Sequence, residues 1–192
     1  MESPLSRATE ERKQDTQATQ PNGSVLAIFR DWVVIGIFAA VVGLDQLTKL
    51  LVDANMRLGQ SIPAEGFFRL TYTTNSGTIF GLLPGATLVL TILSFGAIAF
   101  LLYFYRNYAL TSPYLRLAIA LLLGGAIGNL IDRLRQGTVI DFVDVGRWPI
   151  FNIADSAITV GIAIIVVFSF IMAKEEDRQK KQEESANPSS GN

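Results

Sequence analysis

The chain has 192 residues, 49% of them hydrophobic, with a net charge of −1 and neither cysteine nor histidine. The nearly neutral charge gives no reason to expect a nucleic acid partner, and the two missing residue types exclude disulfides, thiolate nucleophiles, Ser-His-Asp triads and zinc sites with Cys or His ligands. Acid–base chemistry near neutral pH therefore has to come from carboxylates, lysine or tyrosine.

Both ends of the chain are polar. Residues 1–30 and 174–192 are rich in Gln, Ser, Glu, Asn and Lys, so we predict two disordered tails. Residues 31–173 hold nearly all the apolar content, without an internal repeat or a sign of a second domain. This composition predicts one membrane domain between two polar tails.

Four apolar segments are each long enough to cross a bilayer as a helix, which takes about 20 residues. The predicted spans lie near residues 32–52, 86–106, 114–134 and 153–173. The first has too long a hydrophilic leader and too long an apolar run for a cleaved signal peptide. The pattern predicts an all-α membrane protein with four transmembrane helices.

The segment 53–85, between the first and second spans, has a different pattern. It contains "FFRLTYTTNSGTIFG" (67–81), whose aromatic and Thr-rich run predicts one or two short strands, with "NSG" as a turn between them. We therefore predict a small extracytoplasmic β-platform between the first two helices.

The basic residues predict the orientation of the chain. Four spans place both termini on one side of the membrane, and Lys and Arg are more frequent on the cytoplasmic side. The tails and the loop between the second and third spans hold ten of the 16 Lys and Arg residues, and the opposite side holds six. We therefore expect cytoplasmic termini.

With that orientation, the polar residues of the spans collect at the outer membrane face, because they lie where the first and third spans end and the fourth begins. Such clustering suggests a site, whereas a conduction path would need polar residues at all depths. The residues concerned are Asp45, Lys49, Asn129, Asp132, Arg133, Asp141 and Asp155.

Two of these acids have no obvious ion-pair partner. Asp141 follows the third span in "VIDF" (139–142), and Asp155 opens the fourth in "FNIADSAITVG" (151–161). Acids this close to lipid are costly and tend to be functional. Two close carboxylates cannot easily both ionise, so one holds a proton while the other acts as a base, which is what aspartic proteolysis needs. The pair suggests this chemistry at a membrane surface.

Some of these residues also have a purely structural interpretation. Asp45 and Lys49 have the i, i+4 spacing of a self-neutralising ion pair, with Lys49 reaching the membrane interface. Asp132 and Arg133 suit a buried network that fixes helix ends. Gly124, Gly125, Ala126 and Gly128 in "GGAIGNLIDRL" (124–134) let a neighbouring helix approach closely.

The two unpaired acids have structural interpretations as well. Asn152 and Asp155 suit an N-cap and an N3 residue that complements the helix dipole. Asp141 could be a solvated loop residue, as we expect Asp144 to be. The convergence of several helix ends on one spot favours the functional interpretation.

Five blocks of the sequence resemble the bacterial lipoprotein signal peptidase (signal peptidase II) family. "DQLTK", "NSGTIFG", "GNLIDR", "VIDFVDV" and "FNIADSAI" occur in that family's order over roughly residues 33–170. The resemblance implies a membrane aspartyl endopeptidase, without metal or cofactor, that cuts diacylglyceryl-modified prolipoproteins just before the lipidated cysteine. It also implies membrane lipids as surroundings, a bacterial cell membrane location and inhibition by globomycin.

The resemblance also implies a role for each matching residue. Asp141 and Asp155 match the catalytic dyad, and Asp132 matches a structural and substrate-positioning acid. The other matches are supporting positions, namely Asp45, Lys49, Asn75, Asn129, Arg133, Asn152 and Ala154.

The chain departs from the family pattern in two places. Thr78 and Ile79 stand where small residues are usual, and the segment 142–154 between the dyad members is short, which affects substrate fit and not the reaction. We expect a monomer, although the sequence does not determine the oligomeric state.

Two other functions compete with this one. A small transporter or channel subunit would use Asp45, Asp132 and Asp155 as an ion path, but it would need polar residues at mid-depth. A membrane scaffold would make the acid pair incidental.

Overall fold

The computed structural model describes residues 31–77, 87–108 and 112–186. The predicted N-terminal tail (1–30) lies outside these residues, as do Thr78 and Ile79. The elements follow in the order α1 (Trp32–Asn55), β1 (Ser61–Ile62), β2 (Arg69–Asn75), α2 (Thr87–Tyr108), α3 (Pro113–Gln136), β3 (Val139–Asp144) and α4 (Ile153–Ala186).

The four helices are each long and apolar enough to cross a membrane, which confirms the predicted fold class. Local signals set several of their ends. Asp31 caps α1 by accepting a hydrogen bond from the Val34 N–H, and Ser112 caps α3, which begins with Pro113. Gly137 ends α3 with a φ of 76°, a left-handed conformation that glycine adopts without strain.

Helix α3 is the centre of the bundle, since it packs against α1, α2 and α4. Its glycines make this packing possible. A Cβ at Gly124 would lie 2.7 Å from the Val41 side chain of α1, and one at Gly125 would overlap the Ala154 carbonyl oxygen of α4. The prediction that small residues let neighbouring helices approach is therefore confirmed.

The first testable prediction concerns this contact. We expect Gly125→Ala to destabilise the protein by about 1–3 kcal/mol, because α4 has to move away from α3 to accommodate the methyl group. Thermal unfolding in detergent measures the effect. Gly36→Ala is the matched control, since a Cβ at Gly36 meets nothing within 4 Å. Equal unfolding temperatures for the two variants would contradict the packing argument.

The three strands form one antiparallel sheet in the order β1-β2-β3. Strand β2 supplies the strand predicted within 67–81, and its register with β3 pairs Thr73 with Asp141. Asp141 and Asp144, considered above as loop residues, thus lie on a strand, so the platform is not built from 53–85 alone. Val139, Ile140 and Val143 are β-branched and favour this conformation.

Helix α4 continues well past the predicted end of the fourth span. It runs to Ala186, so residues 174–186, predicted as part of a disordered tail, are helical. Glu, Lys, Gln and Arg are strong helix formers, and pairs such as Glu176 and Lys180 have the favourable i, i+4 spacing. Residues 187–192 lie outside the described part of the chain.

Candidate active site

The structure brings Asp141 and Asp155 together from two different elements. Asp141 lies on β3 and is buried, with 2% of its surface exposed. Asp155 lies in the first turn of α4 and is partly exposed. Asn152 connects them, because its side-chain Nδ2 donates to Asp141 Oδ1 (2.7 Å) and its backbone N–H donates to Asp155 Oδ2 (3.3 Å).

Asn152 and Asp155 also form the start of α4. The Asp155 N–H donates to Asn152 Oδ1 (2.9 Å), and together with the reverse bond this is the reciprocal pattern of a capping box. The predicted cap is therefore confirmed, and the same contacts hold Asp155 beside Asp141. The capping and site interpretations do not exclude each other.

A second amide, that of Asn129 on α3, supports the same pair. Its Nδ2 donates to Asp155 Oδ1 (2.8 Å). Its Oδ1 accepts from Asn152 Nδ2 (3.1 Å) and from Lys49 Nζ (3.0 Å). Because the oxygen is occupied by two donors, the amide nitrogen is left to face the carboxylate of Asp155.

Lys49 is the centre of a buried ionic cluster. Its Nζ lies 2.8 Å from Asp45 Oδ2 and 3.0 Å from Asp132 Oδ2. The predicted Asp45–Lys49 pair is confirmed, but Lys49 is 2% exposed and does not reach the membrane interface. With Asn129 included, the ammonium group has three acceptors, which is why it stays inside.

Asp132 lies in a buried network, as the structural interpretation predicted, but its ion-pair partner there is not Arg133. The structure records the ion pair of Asp132 with Lys49, while Arg133 Nη1 donates to Ser94 Oγ (3.3 Å) on α2. Adjacent helical residues point about 100° apart, so these two side chains diverge. Arg133 is partly buried, and its charge acts on Asp141 and Asp155.

Asp45 and Asp132 also hold backbone groups next to the pair. Asp45 Oδ1 accepts from the Ala154 N–H (2.9 Å), and Asp132 Oδ2 accepts from the Ile140 N–H (3.1 Å). The structure therefore brings Ala154 into the site through its backbone.

Asn75, at the end of β2, lies at the edge of the site. Its side chain hydrogen-bonds Asp141, and its Oδ1 also accepts from the Gly77 N–H (2.9 Å). All ten predicted site residues thus belong to one connected region.

Asp144, expected to be a solvated loop residue, is instead buried on β3. It is 3% exposed, pairs with Arg69 Nη2 (2.7 Å) and accepts from Thr71 Oγ1 (2.9 Å). Its role is to join β2 to β3. Within the described part of the chain, Asp141 and Asp155 are the acids of the site that make no ion pair.

The surroundings of Asp141 favour its protonated form. Burial, and then the negative charge of Asp155, raise the pKa of Asp141 to about 7. Hydrogen bonds from Asn75 and Asn152 and the charge of Lys49 act in the opposite direction. A proton shared by the pair near neutral pH suits one acid and one base in the same site.

Sequence reasoning missed Gln46. Its Nε2 donates to Asp132 Oδ1 (2.9 Å) and lies 3.2 Å from Asp45 Oδ2, with the Gly128 carbonyl as a further acceptor (3.1 Å). The only signal was an amide inside an apolar span. Among the described residues, no group of three or more acidic, Cys or His side chains is arranged to hold a metal ion.

The chain is similar to known proteins over most of its length. The family model described as "Signal peptidase (SPase) II" matches residues 37–171. The chain is 44% identical over 140 residues to the lipoprotein signal peptidase of Moorella thermoacetica, which covers 72% of this chain and 93% of that protein. It is 41% identical over 139 residues to that of Halothermothrix orenii, covering 71% and 94%.

A solved structure has the same architecture. It is described as a bacterial membrane enzyme determined by the in meso method at 2.3 Å resolution. The TM-score is 0.72 at 33% sequence identity, with 76% of this chain and 92% of the other covered.

Proposed function

Because this chain belongs to the signal peptidase II family of multi-pass bacterial membrane peptidases, we propose that it removes the signal peptides of diacylglyceryl-modified prolipoproteins, with Asp141 and Asp155 as its catalytic pair. The observation that carries the assignment is the position of Asn152, which donates to Asp141 through its side-chain amide and to Asp155 through its backbone N–H, and neither of these carboxylates makes an ion pair. The acids near them, Asp45 and Asp132, both form an ion pair with Lys49.

The two carboxylates activate a water molecule. The ionised member takes a proton from the water as its oxygen attacks the carbonyl carbon of the scissile bond, and the protonated member donates to the carbonyl oxygen. Collapse of the tetrahedral intermediate breaks the C–N bond, and a proton passes to the leaving nitrogen. The pKa values belong to the pair, so the proton is shared.

The substrate reaches this site from the membrane. We propose cytoplasmic termini, because ten of 16 basic residues then lie on the cytoplasmic side, and this places the pair at the outer face. The signal helix lies among the four spans with the lipid tails in the bilayer, and the cut falls just before the lipidated cysteine. Asn75 and Arg133 lie beside the pair and are positioned to contact the substrate backbone.

A purified-enzyme assay tests the proposal. The full chain is reconstituted in lipid and given a prolipoprotein with and without the diacylglyceryl group, and mass spectrometry locates the cut. We expect cleavage before the lipidated cysteine only in the modified substrate, and inhibition by globomycin. Equal cleavage of the unmodified substrate would overturn the substrate assignment, and absence of any cleavage, as expected of a transporter or a scaffold, would overturn the function.

A further prediction concerns Asn152. We expect Asn152→Ala to lower kcat about tenfold or more, because Asp141 loses its bond to the Asn152 side-chain amide and α4 loses half of its capping box. The cap loss should also lower stability by about 1 kcal/mol. Steady-state cleavage kinetics measure the change. Ser156→Ala is the control, since that hydroxyl bonds only the Asn152 carbonyl (3.0 Å), and an unchanged kcat in Asn152→Ala would contradict the role.

A further inference from the structure

The two catalytic acids have matching backbone attachments. The residue before Asp155 is Ala154, whose N–H is held by Asp45 (2.9 Å), and the residue before Asp141 is Ile140, whose N–H is held by Asp132 (3.1 Å). Each member of the catalytic pair therefore follows a backbone group that a second, non-catalytic acid fixes.

Two side chains of α1 join the second acids. Lys49 Nζ contacts Asp45 Oδ2 and Asp132 Oδ2, at 2.8 and 3.0 Å. Gln46 Nε2 contacts Asp45 Oδ2 and Asp132 Oδ1, at 3.2 and 2.9 Å. We call this double connection the Lys49–Gln46 bridge. It links α1 to α3, and through the two backbone bonds it reaches β3 and α4.

We propose that Gln46 is a positioning residue, and that together with Lys49 it sets the separation of the catalytic carboxylates by bridging Asp45 and Asp132. The inference rests on the proposed function. The Gln46 amide bonds Asp45, Asp132 and the Gly128 carbonyl, so its effect on the pair passes through the acids that hold Ile140 and Ala154.

The arrangement matters because the shared proton depends on distance. Two carboxylates share a proton strongly only when they are close, and displacement of a reacting group by about 1 Å costs up to about a hundredfold in rate. The catalytic acids lie on a short strand and on a helix start, which the segment 145–152 joins. The bridge connects β3 to α4 through the bundle, because the acids that it joins bond the backbone of both elements.

A variant of Gln46 tests the inference better than a variant of Lys49. Removal of the Lys49 charge would leave two buried carboxylates uncompensated, and such a variant risks not folding. Gln46→Met keeps the length of the side chain and leaves the Lys49 ion pairs in place. Thr48→Val is the matched control on the same helix, because its hydroxyl bonds only the backbone carbonyls of α1.

The experiment measures kcat, KM and the pH profile of prolipoprotein cleavage for the full-length enzyme and both variants, normalised to folded protein. For Gln46→Met we expect kcat to fall about tenfold with KM unchanged. The alkaline limb of the profile should move to lower pH, because carboxylates held further apart release the shared proton more easily. Among the other charged groups, Lys49 and Arg133 act on the pair, and Asp45 and Asp132 hold the backbone beside it; the variant retains all four.

A purely structural role would lower the unfolding temperature without changing kcat per folded molecule or the pH profile. That result, or wild-type kinetics in Gln46→Met, would overturn the inference while the proposed function stands. If the wild-type enzyme does not cleave the lipidated substrate, the proposed function itself fails, and the two failures are thereby separated.

Discussion

We expect Asp141→Asn and Asp155→Asn each to lower kcat for prolipoprotein cleavage by about 10⁴-fold or more. An amide can neither take a proton from water nor give one to the carbonyl oxygen, so each substitution removes one half of a unit that works only as a pair. Asparagine keeps the shape of aspartate, and the variants should fold. Replacement of Asp141 also removes a buried acid that burial and the charge of Asp155 disfavour, so its unfolding temperature should not fall.

Asp144→Asn is the matched control for this experiment. It makes the same chemical change as Asp141→Asn on the same strand, at a buried acid that pairs with Arg69 and not with Asp141 or Asp155. We expect kcat within about threefold of the wild type, with a loss of stability from the uncompensated arginine. Multiple turnovers by folded Asp141→Asn would show that the pair does not activate the water, whatever the family membership of the chain.

The sequence predicts the helices well, because a membrane span needs a long apolar run that is visible locally. The predicted first span of 32–52 corresponds to α1 at Trp32–Asn55. Strand β3 was missed because it has six residues and is defined by its pairing with β2, which lies more than sixty positions earlier. Residues 174–186 were missed for another reason, since a charged helix without a buried face has the composition of a disordered tail.

The sequence indicated which residues meet in the candidate site, but it did not indicate which of them bond to each other. Residue types and their placement at helix ends singled out Asp141 and Asp155, and the structure brings the two together. Partners across the bundle were not predictable, since sequence neighbours such as Asp132 and Arg133 point in different directions along a helix. Asp144 shows the same limit, because its burial depends on Arg69 and Thr71 of a distant strand.

The pH dependence follows from the environment of Asp141. In the proposed mechanism activity requires one proton on the pair, and burial together with the charge of Asp155 raises the pKa of Asp141 to about 7. Asp141 therefore keeps its proton at a pH below this pKa and loses it at a pH above it. We therefore expect kcat to fall about tenfold for each pH unit above about pH 7. Initial rates at saturating substrate, measured from about pH 5 to about pH 9, give this alkaline limb of the pH profile.

The variant Asn75→Ala tests whether Asp141 is the group whose titration produces the alkaline limb. The hydrogen bond from Asn75 favours the ionised form of Asp141 and so lowers its pKa, against the effect of burial. Its removal should move the alkaline limb to higher pH, while the charges of Asp155, Lys49 and Arg133 that act on Asp141 remain in place. A limb that stays at the same pH in this variant would assign the titration to a group other than Asp141. A wild-type rate that is constant from about pH 7 to about pH 9 would show that the pair keeps its proton throughout, and that the Asp155 charge acts on Asp141 more strongly than the opposing bonds.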